Sequence, residues 1–188
     1  MWTEGMIWLN PPASATTDGE TLYVTTGDKG DFWRNTFYGF IHDTGHALLA
    51  PTELEFSAEV TFTADYRAQY DQAGLFLRLD ESCWIKAGIE YVNGTAHLAT
   101  VVTHGSSDWS QMPLPSFTGD LGLRLTRVGD AVWVQYRIAD DWKMFRLANL
   151  PPGPGFRVGP MACSPSRAGL TARFRDFRLG PPISRQPY

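Results

Sequence analysis

Cysteine is almost absent from this chain. With Cys83 and Cys163 alone among 188 residues, no disulfide framework holds the fold together. Neither belongs to a Cys-x-x-Cys pair, which removes the usual thiolate metal site. Both are expected as reduced thiols, a single bridge between them being the alternative. Long apolar runs are also lacking: no window of about 18 consecutive apolar residues exists, so no membrane-spanning helix is expected. Met1 to Met6 show no positive segment followed by an apolar core, and the expectation is a cytoplasmic protein. Positive charge is scarce, with 16 Lys and Arg against 20 Asp and Glu and a net charge of −4. A surface that tracks phosphates needs the opposite balance, so nucleic acid is not an expected partner. Arg173, Arg175 and Arg178 interleave with Phe174 and Phe177, which reads as a strand with one solvated face. The chain also lacks a Gly-x-Ser-x-Gly elbow, a phosphate loop and a dinucleotide fingerprint, against serine-triad, nucleotide-hydrolysing and hydride-transfer chemistry. His42 and His46 lie four apart, but Thr44-Gly45 between them makes a poor helix. No metal and no cofactor are expected, and His46 is read as a buried, hydrogen-bonded side chain.

What is present is β-structure. Leu54, Phe56, Ala58, Val60 and Phe62 alternate with Glu55, Ser57, Glu59, Thr61 and Thr63 in a stretch expected as a strand from Leu54 to Thr63, apolar on one side and wet on the other. The same alternation marks Thr21 to Thr26, Leu121 to Val128, Val132 to Ile138, Trp142 to Leu147, Phe156 to Ala162 and Leu170 to Leu179. Glycine, proline and Asn-Gly punctuate them at short intervals. Eleven or twelve such strands predict an all-β, two-sheet antiparallel sandwich of jelly-roll kind, in one domain over residues 1–188 with a fraying tail at 181–188. Gly105 to Ser110 is expected as a polar loop carrying Trp109.

The centre of the chain is Tyr70 to Thr103. Asn93-Gly94 separates two alternating runs, and a type I′ hairpin turn needs positive φ at both central residues, so the runs are expected to be adjacent strands. Ile85, Ala87, Ile89 and Tyr91 share one parity, while Trp84, Lys86, Gly88 and Glu90 share the other. One face is core. The other puts an indole, an ammonium and a carboxylate in a row.

The strings Asp31-Phe32-Trp33, Tyr38-Gly39-Phe40, Gly45-His46, Tyr70-Asp71-Gln72-Ala73-Gly74, Trp84-Ile85-Lys86-Ala87-Gly88-Ile89-Glu90, Val101-Val102-Thr103 and Ser107-Asp108-Trp109-Ser110 carry a resemblance. In this order and spacing, from Trp8 to Leu179, the chain resembles the family typified by the fungal regulation-of-enolase protein. That resemblance implies a concanavalin A-like lectin/glucanase sandwich of two curved sheets and carries no settled activity with it.

In folds of this class the curved sheet commonly forms a groove that holds sugar. By that analogy the candidate site is Gln72, Trp84, Lys86, Glu90 and Thr103, with Tyr70, Trp33 and Trp109 from flanking loops. Tyr38 and Arg34 are weighed beside them, with aromatic plugging of one sandwich end as the plainer role. An aromatic platform with charged and amide partners suits a carbohydrate or similar small polar ligand. A glycosidase needs a second carboxyl group about 5 to 9 Å from the first. The Glu-x-Asp-x-x-Glu string of glucanases is missing, so that group must come from Asp71, Asp108 or another strand. Lys86 with Tyr70 as base and acid of a polysaccharide lyase is a further reading. The third is a regulatory module that holds a protein partner on the same surface.

Overall fold

In the computed structural model, which describes residues 1–187, the chain is built from strands, and no helix occurs among the described residues. The strands are β1 (Ile7–Leu9), β2 (Ser14–Asp18), β3 (Thr21–Thr25), β4 (Phe32–Arg34), β5 (Ile41–Asp43), β6 (His46–Pro51), β7 (Phe56–Ala64), β8 (Gln72–Asp80), β9 (Cys83–Val92), β10 (Thr95–His104), β11 (Ser106–Pro113), β12 (Leu121–Val128), β13 (Ala131–Ile138), β14 (Asp141–Asn149), β15 (Arg157–Cys163) and β16 (Thr171–Gly180). One seven-stranded antiparallel sheet has the order β1-β6-β15-β8-β9-β10-β11, and the second has the order β14-β13-β12-β7-β16-β3-β2. β7 and β8 are consecutive in sequence and lie in different sheets, the crossing that makes a sandwich rather than a meander.

The alternation read from the sequence sets which faces meet. Phe56, Ala58, Val60, Phe62, Leu121, Leu123 and Leu125 of the second sheet pack against Leu75, Leu77, Ile85, Ala87 and Ile89 of the first. The Asn93-Gly94 turn has φ of 50° and 80°, and Val92 pairs with Thr95 across it, as a type I′ hairpin requires. Leu54 falls in the connection ahead of β7, where it is exposed rather than core. Gly105 to Ser110, expected as a loop, falls from Ser106 onward within β11, which pairs along β10 from His104↔Ser106 to His97↔Pro113. Its polar side chains suit the edge of a sheet, where one side of the backbone meets water.

The outer face of the first sheet is not wet along its length. A two-stranded hairpin, β4 with β5, lies over it and closes a second apolar cluster of Phe32, Trp33, Leu49, Phe76, Trp84, Val101, Met161 and Cys163. Phe32 stacks on Phe76 at 4.2 Å between ring centroids and tilts against Trp84 at 6.2 Å. Gly45 makes room for this contact, because a Cβ there would sit 2.4 Å from the Phe32 ring. The hairpin is clamped at its base by Arg78, whose guanidinium grips Asp43 through both carboxylate oxygens at 2.5 and 2.8 Å. A planar fork on a planar carboxylate fixes direction as well as distance. Asn10 adds two bonds, to the carbonyls of Asp43 and Gly45. His46 accepts from the Gly27 N–H at Nε2 and meets the Asn10 carbonyl at Nδ1, 2.7 Å away, so both ring nitrogens are engaged by backbone groups. Both cysteines are free and buried, and burial pushes the Cys83 thiol up to about 11. Near the end of the chain the Ile183 N–H donates to Ser57 and Arg185 pairs with Glu55, two attachments in the tail expected to fray; Tyr188 lies outside the described residues.

Candidate functional site

Between the hairpin and the first sheet lies a cavity of about 450 Å³. Its floor is sheet: Lys86 and Glu90 from β9 and Val101 from β10. Trp109 from β11 and Tyr70 from the turn before β8 stand on one side, and Asp31, Trp33, Tyr38, Phe40 and His42 from the hairpin and its lead-in stand on the other. Strand parity sets the floor. Lys86 and Glu90 flank Gly88 on one face of β9, and Gly88 pairs with Gly74 of β8, so the floor between the two charges carries no side chain. Beneath it, Gln72, Gly88 and Met161 help to line a void of about 10 Å³, the size of about one water. Neither glycine can be replaced freely: a Cβ on Gly88 would lie 2.1 Å from the Ala73 carbonyl oxygen.

Asp31 is the residue that sequence reasoning missed. Its Oδ1 lies 3.0 Å from Lys86 Nζ, accepts the Phe32 N–H at 2.8 Å and stands 3.4 Å from Gln72 Nε2. Only the position of Asp31 just ahead of an aromatic hairpin hinted at this, since its partner is 55 residues away. Burial alone would depress the Lys86 ammonium, but the Asp31 carboxylate, helped by Cys163 and Glu90, holds it above its ordinary value. Glu90 behaves differently. Burial, reinforced by the negative charge of Asp31, pushes its carboxyl up to about 7 against the pull of Lys86 and of the Trp109 indole, which donates to Oε2 at 2.9 Å.

The aromatic walls meet at corners. Trp33 and Tyr38 are T-shaped at 5.7 Å and 72°, and Tyr70 and Trp109 at 6.4 Å and 77°. The Tyr38 phenol is held above its ordinary range by its hydrogen bond to Tyr70, then by burial and by the charge of Glu90. Tyr70 sits at φ 66°, a left-handed conformation that costs a non-glycine residue about 1 kcal/mol or more and that clusters at functional sites. Asp71 stabilises it. Fully buried, Asp71 accepts from the N–H groups of Arg67 and Ala68, from Ser164 and from Arg167. Burial would raise that carboxyl, but these donors outweigh it and hold it below its ordinary value. The Tyr70 N–H completes the turn on the Tyr91 carbonyl at 2.7 Å.

Of the residues expected at the site, Trp33, Tyr70, Lys86, Glu90 and Trp109 line the cavity, and Gln72 lies under its floor. Trp84 does not. It is 1% exposed, sealed under Phe32 and Phe76, because the hairpin covers that end of the row. Thr103 is also withdrawn: its hydroxyl bonds Ser107 at 2.9 Å, and Ser107 in turn accepts the Arg34 N–H, so the pair holds β4 against β11. Arg34 reaches the Gly105 carbonyl instead of the cavity. Asp71 is spent on its turn and Asp108 pairs with Arg146 at 3.1 Å, so neither is the partner a glycosidase would need beside Glu90. Lys86, bonded to Asp31 and held cationic, is in the wrong protonation state for a lyase base. Among the described residues no cluster of three or more His, Cys, Asp or Glu side chains is placed to hold a metal.

Two antiparallel sheets face to face, with a hairpin roofing a pocket on one outer face, define a concanavalin A-like β-sandwich with a capped cavity. The chain belongs to the family described as "Protein of unknown function (DUF1349)", whose model matches residues 8–182. It is 40% identical over 181 residues to Regulation of enolase protein 1 of Saccharomyces cerevisiae, covering 95% of this chain and 90% of that one. A crystal structure of a functionally unknown protein from Saccharomyces cerevisiae superposes with a TM-score of 0.93 at 39% identity, over 97% of this chain and 99% of the other. A bifunctional GH43-CE protein of Bacteroides eggerthii matches 94% of this chain with 24% of its own, at a TM-score of 0.71 and 16% identity, a likeness of fold alone.

Proposed function

We propose that the chain is a single-domain, lectin-like module, its catalytic activity unassigned, whose cavity takes a carbohydrate or similar small polar ligand. The observation that supports this reading most is the cavity itself: four ring walls in two corner pairs around the charged groups of Asp31, Lys86 and Glu90. Ring faces pack on the C–H faces of a sugar, and the floor supplies both donors and acceptors for hydroxyls. A volume of about 450 Å³ fits one or two sugar rings. Titration calorimetry against a panel of mono- and disaccharides tests it, with Trp109→Ala and Lys86→Met as variants. Binding that ignores both substitutions removes the site.

A second reading has its own observation. At the hairpin tip Phe37 is 93% exposed beside Tyr38 and Phe40, an aromatic knob of the kind found at protein interfaces. With a relative named as a regulator of enolase, a protein partner held at this tip in the cytoplasm is the alternative. Pull-down with Phe37→Ser and Trp109→Ala separates the readings, because a tip-bound protein is lost with the first and a sugar with the second.

A further inference from the structure

Resting on the pocket reading above, we infer that the occupant carries a cationic ammonium group, seated within the ring walls over Glu90. The cavity is lined by two carboxylates, Asp31 and Glu90, against one buried ammonium, Lys86. Lys86 is committed to Asp31 at 3.0 Å. Glu90 lines the cavity and accepts one hydrogen bond among the described residues, from Trp109 to Oε2, with none at Oε1. The negative charge at this end of the floor therefore lacks a cation of its own. Burial accordingly holds the Glu90 carboxyl up to about 7, and a ligand cation would supply what the protein does not.

The walls match that charge. The negative π-face of a Trp or Tyr attracts an alkylammonium, and rings set at right angles can surround one. The Trp33–Tyr38 and Tyr70–Trp109 pairs are so arranged. Elsewhere in the described residues arginines already lie over rings, on Phe76, Trp142 and Phe156; none lies over these four. Lys29 also lines the cavity, but it is exposed and its charge is screened by solvent. A neutral hydroxyl would bond Glu90 without balancing it, so charge distinguishes this inference from sugar binding in general.

Two sources share the chemistry, a protonated amino sugar and a quaternary amine. The test measures binding at pH 7 of glucosamine, mainly protonated there, against neutral N-acetylglucosamine, and of choline against its neutral isostere 3,3-dimethylbutan-1-ol, by calorimetry and by tryptophan fluorescence. The expected result is a preference of about tenfold for the charged member of at least one pair, falling to about one in Glu90→Gln. The pair that shows it identifies the source. Neutral members that bind as tightly as charged ones, or a preference that survives Glu90→Gln, overturn the inference. If the neutral sugar binds and depends on Trp109, the pocket reading stands while the inference falls. If no probe binds a protein with unaltered melting, both fall.

Discussion

Replacing Glu90 by glutamine should make the protein more stable in mild alkali and leave it unchanged in acid below the ordinary carboxyl value. The ordinary value of the carboxyl is 4.5, and in the fold it is pushed up to about 7. Between those limits the folded chain binds more proton than the unfolded one, so stability declines as pH rises through this window and levels off above it. At about 1.4 kcal/mol for each tenfold change, ionising Glu90 in place removes about 3 kcal/mol. Glutamine has the same shape and never ionises. Its amide oxygen can still accept from the Trp109 indole, and Lys86 keeps Asp31 as its partner. The neighbours that could blur the result are Lys86 on β9, Gln72 on β8, His97 opposite on β10, Asp31 from the hairpin lead, and Tyr38 and His42 across the cavity. They are present in both proteins, so they largely cancel in the difference. Urea unfolding at intervals from about pH 4 to about pH 9 reads that difference directly. Curves that nearly meet at the acid end, stand about 1 kcal/mol apart near pH 5 and separate to about 3 kcal/mol above pH 7, with Glu90→Gln the more stable, are expected. A difference of constant size across the range would show that the carboxyl is not held in its neutral form, and the electrostatic account of the floor would be wrong.

Asp71→Asn removes the carboxylate from half-buried Arg167, which keeps Asp65 at 3.6 Å, and should cost about 1.5 to 3 kcal/mol at pH 7. Because the Asp71 carboxyl is held low, its contribution is present above the ordinary 3.8 and is lost as pH falls through the folded value, so denaturation of variant and wild type should converge in strong acid. Gly88→Ala drives a methyl into the Ala73 carbonyl 2.1 Å away, and insoluble or unfolded protein is expected; a soluble variant with native melting would mean that the paired strands can separate. Arg78→Met removes the fork on Asp43, a loss of about 1.5 to 3 kcal/mol confined to the hairpin. Hydrogen exchange should quicken for Phe32–Arg34 and Ile41–Asp43 while β8 and β9 keep their protection, and uniform loss of protection would refute the idea that the hairpin is a separate unit.

The fold was legible because it rests on local rules. Period-two alternation from Phe56 to Thr63 and the Asn93-Gly94 turn each state a geometry within a few residues, and the sheet obeys them. Half of the site was legible for the same reason: the parity of β9 placed Lys86 and Glu90 side by side on the outer face. What parity cannot state is what lies over that face. Trp84 has the parity of Lys86 and is nevertheless sealed, because the hairpin brings Phe32 onto it from 52 positions earlier in the chain. Asp31 was overlooked on the same account, its role existing only once that segment has crossed the sheet. Thr103 and Ser107 were separable only through their hydroxyl contact, which no periodicity encodes.

The hairpin over the pocket divides the labour between two pieces of chain that mutate under different constraints. The strands beneath are shared with the main core, where a substitution disturbs both layers, whereas the segment from Asn35 to Phe40 turns on its own bonds, Asn35 N–H to Phe40 and Gly39 N–H to Asn35. Rings can therefore be exchanged at Tyr38 and Phe40 without touching the charges below. A lineage keeping this scaffold can change what it recognises by rewriting one short ceiling, while the basement wiring stays as it was.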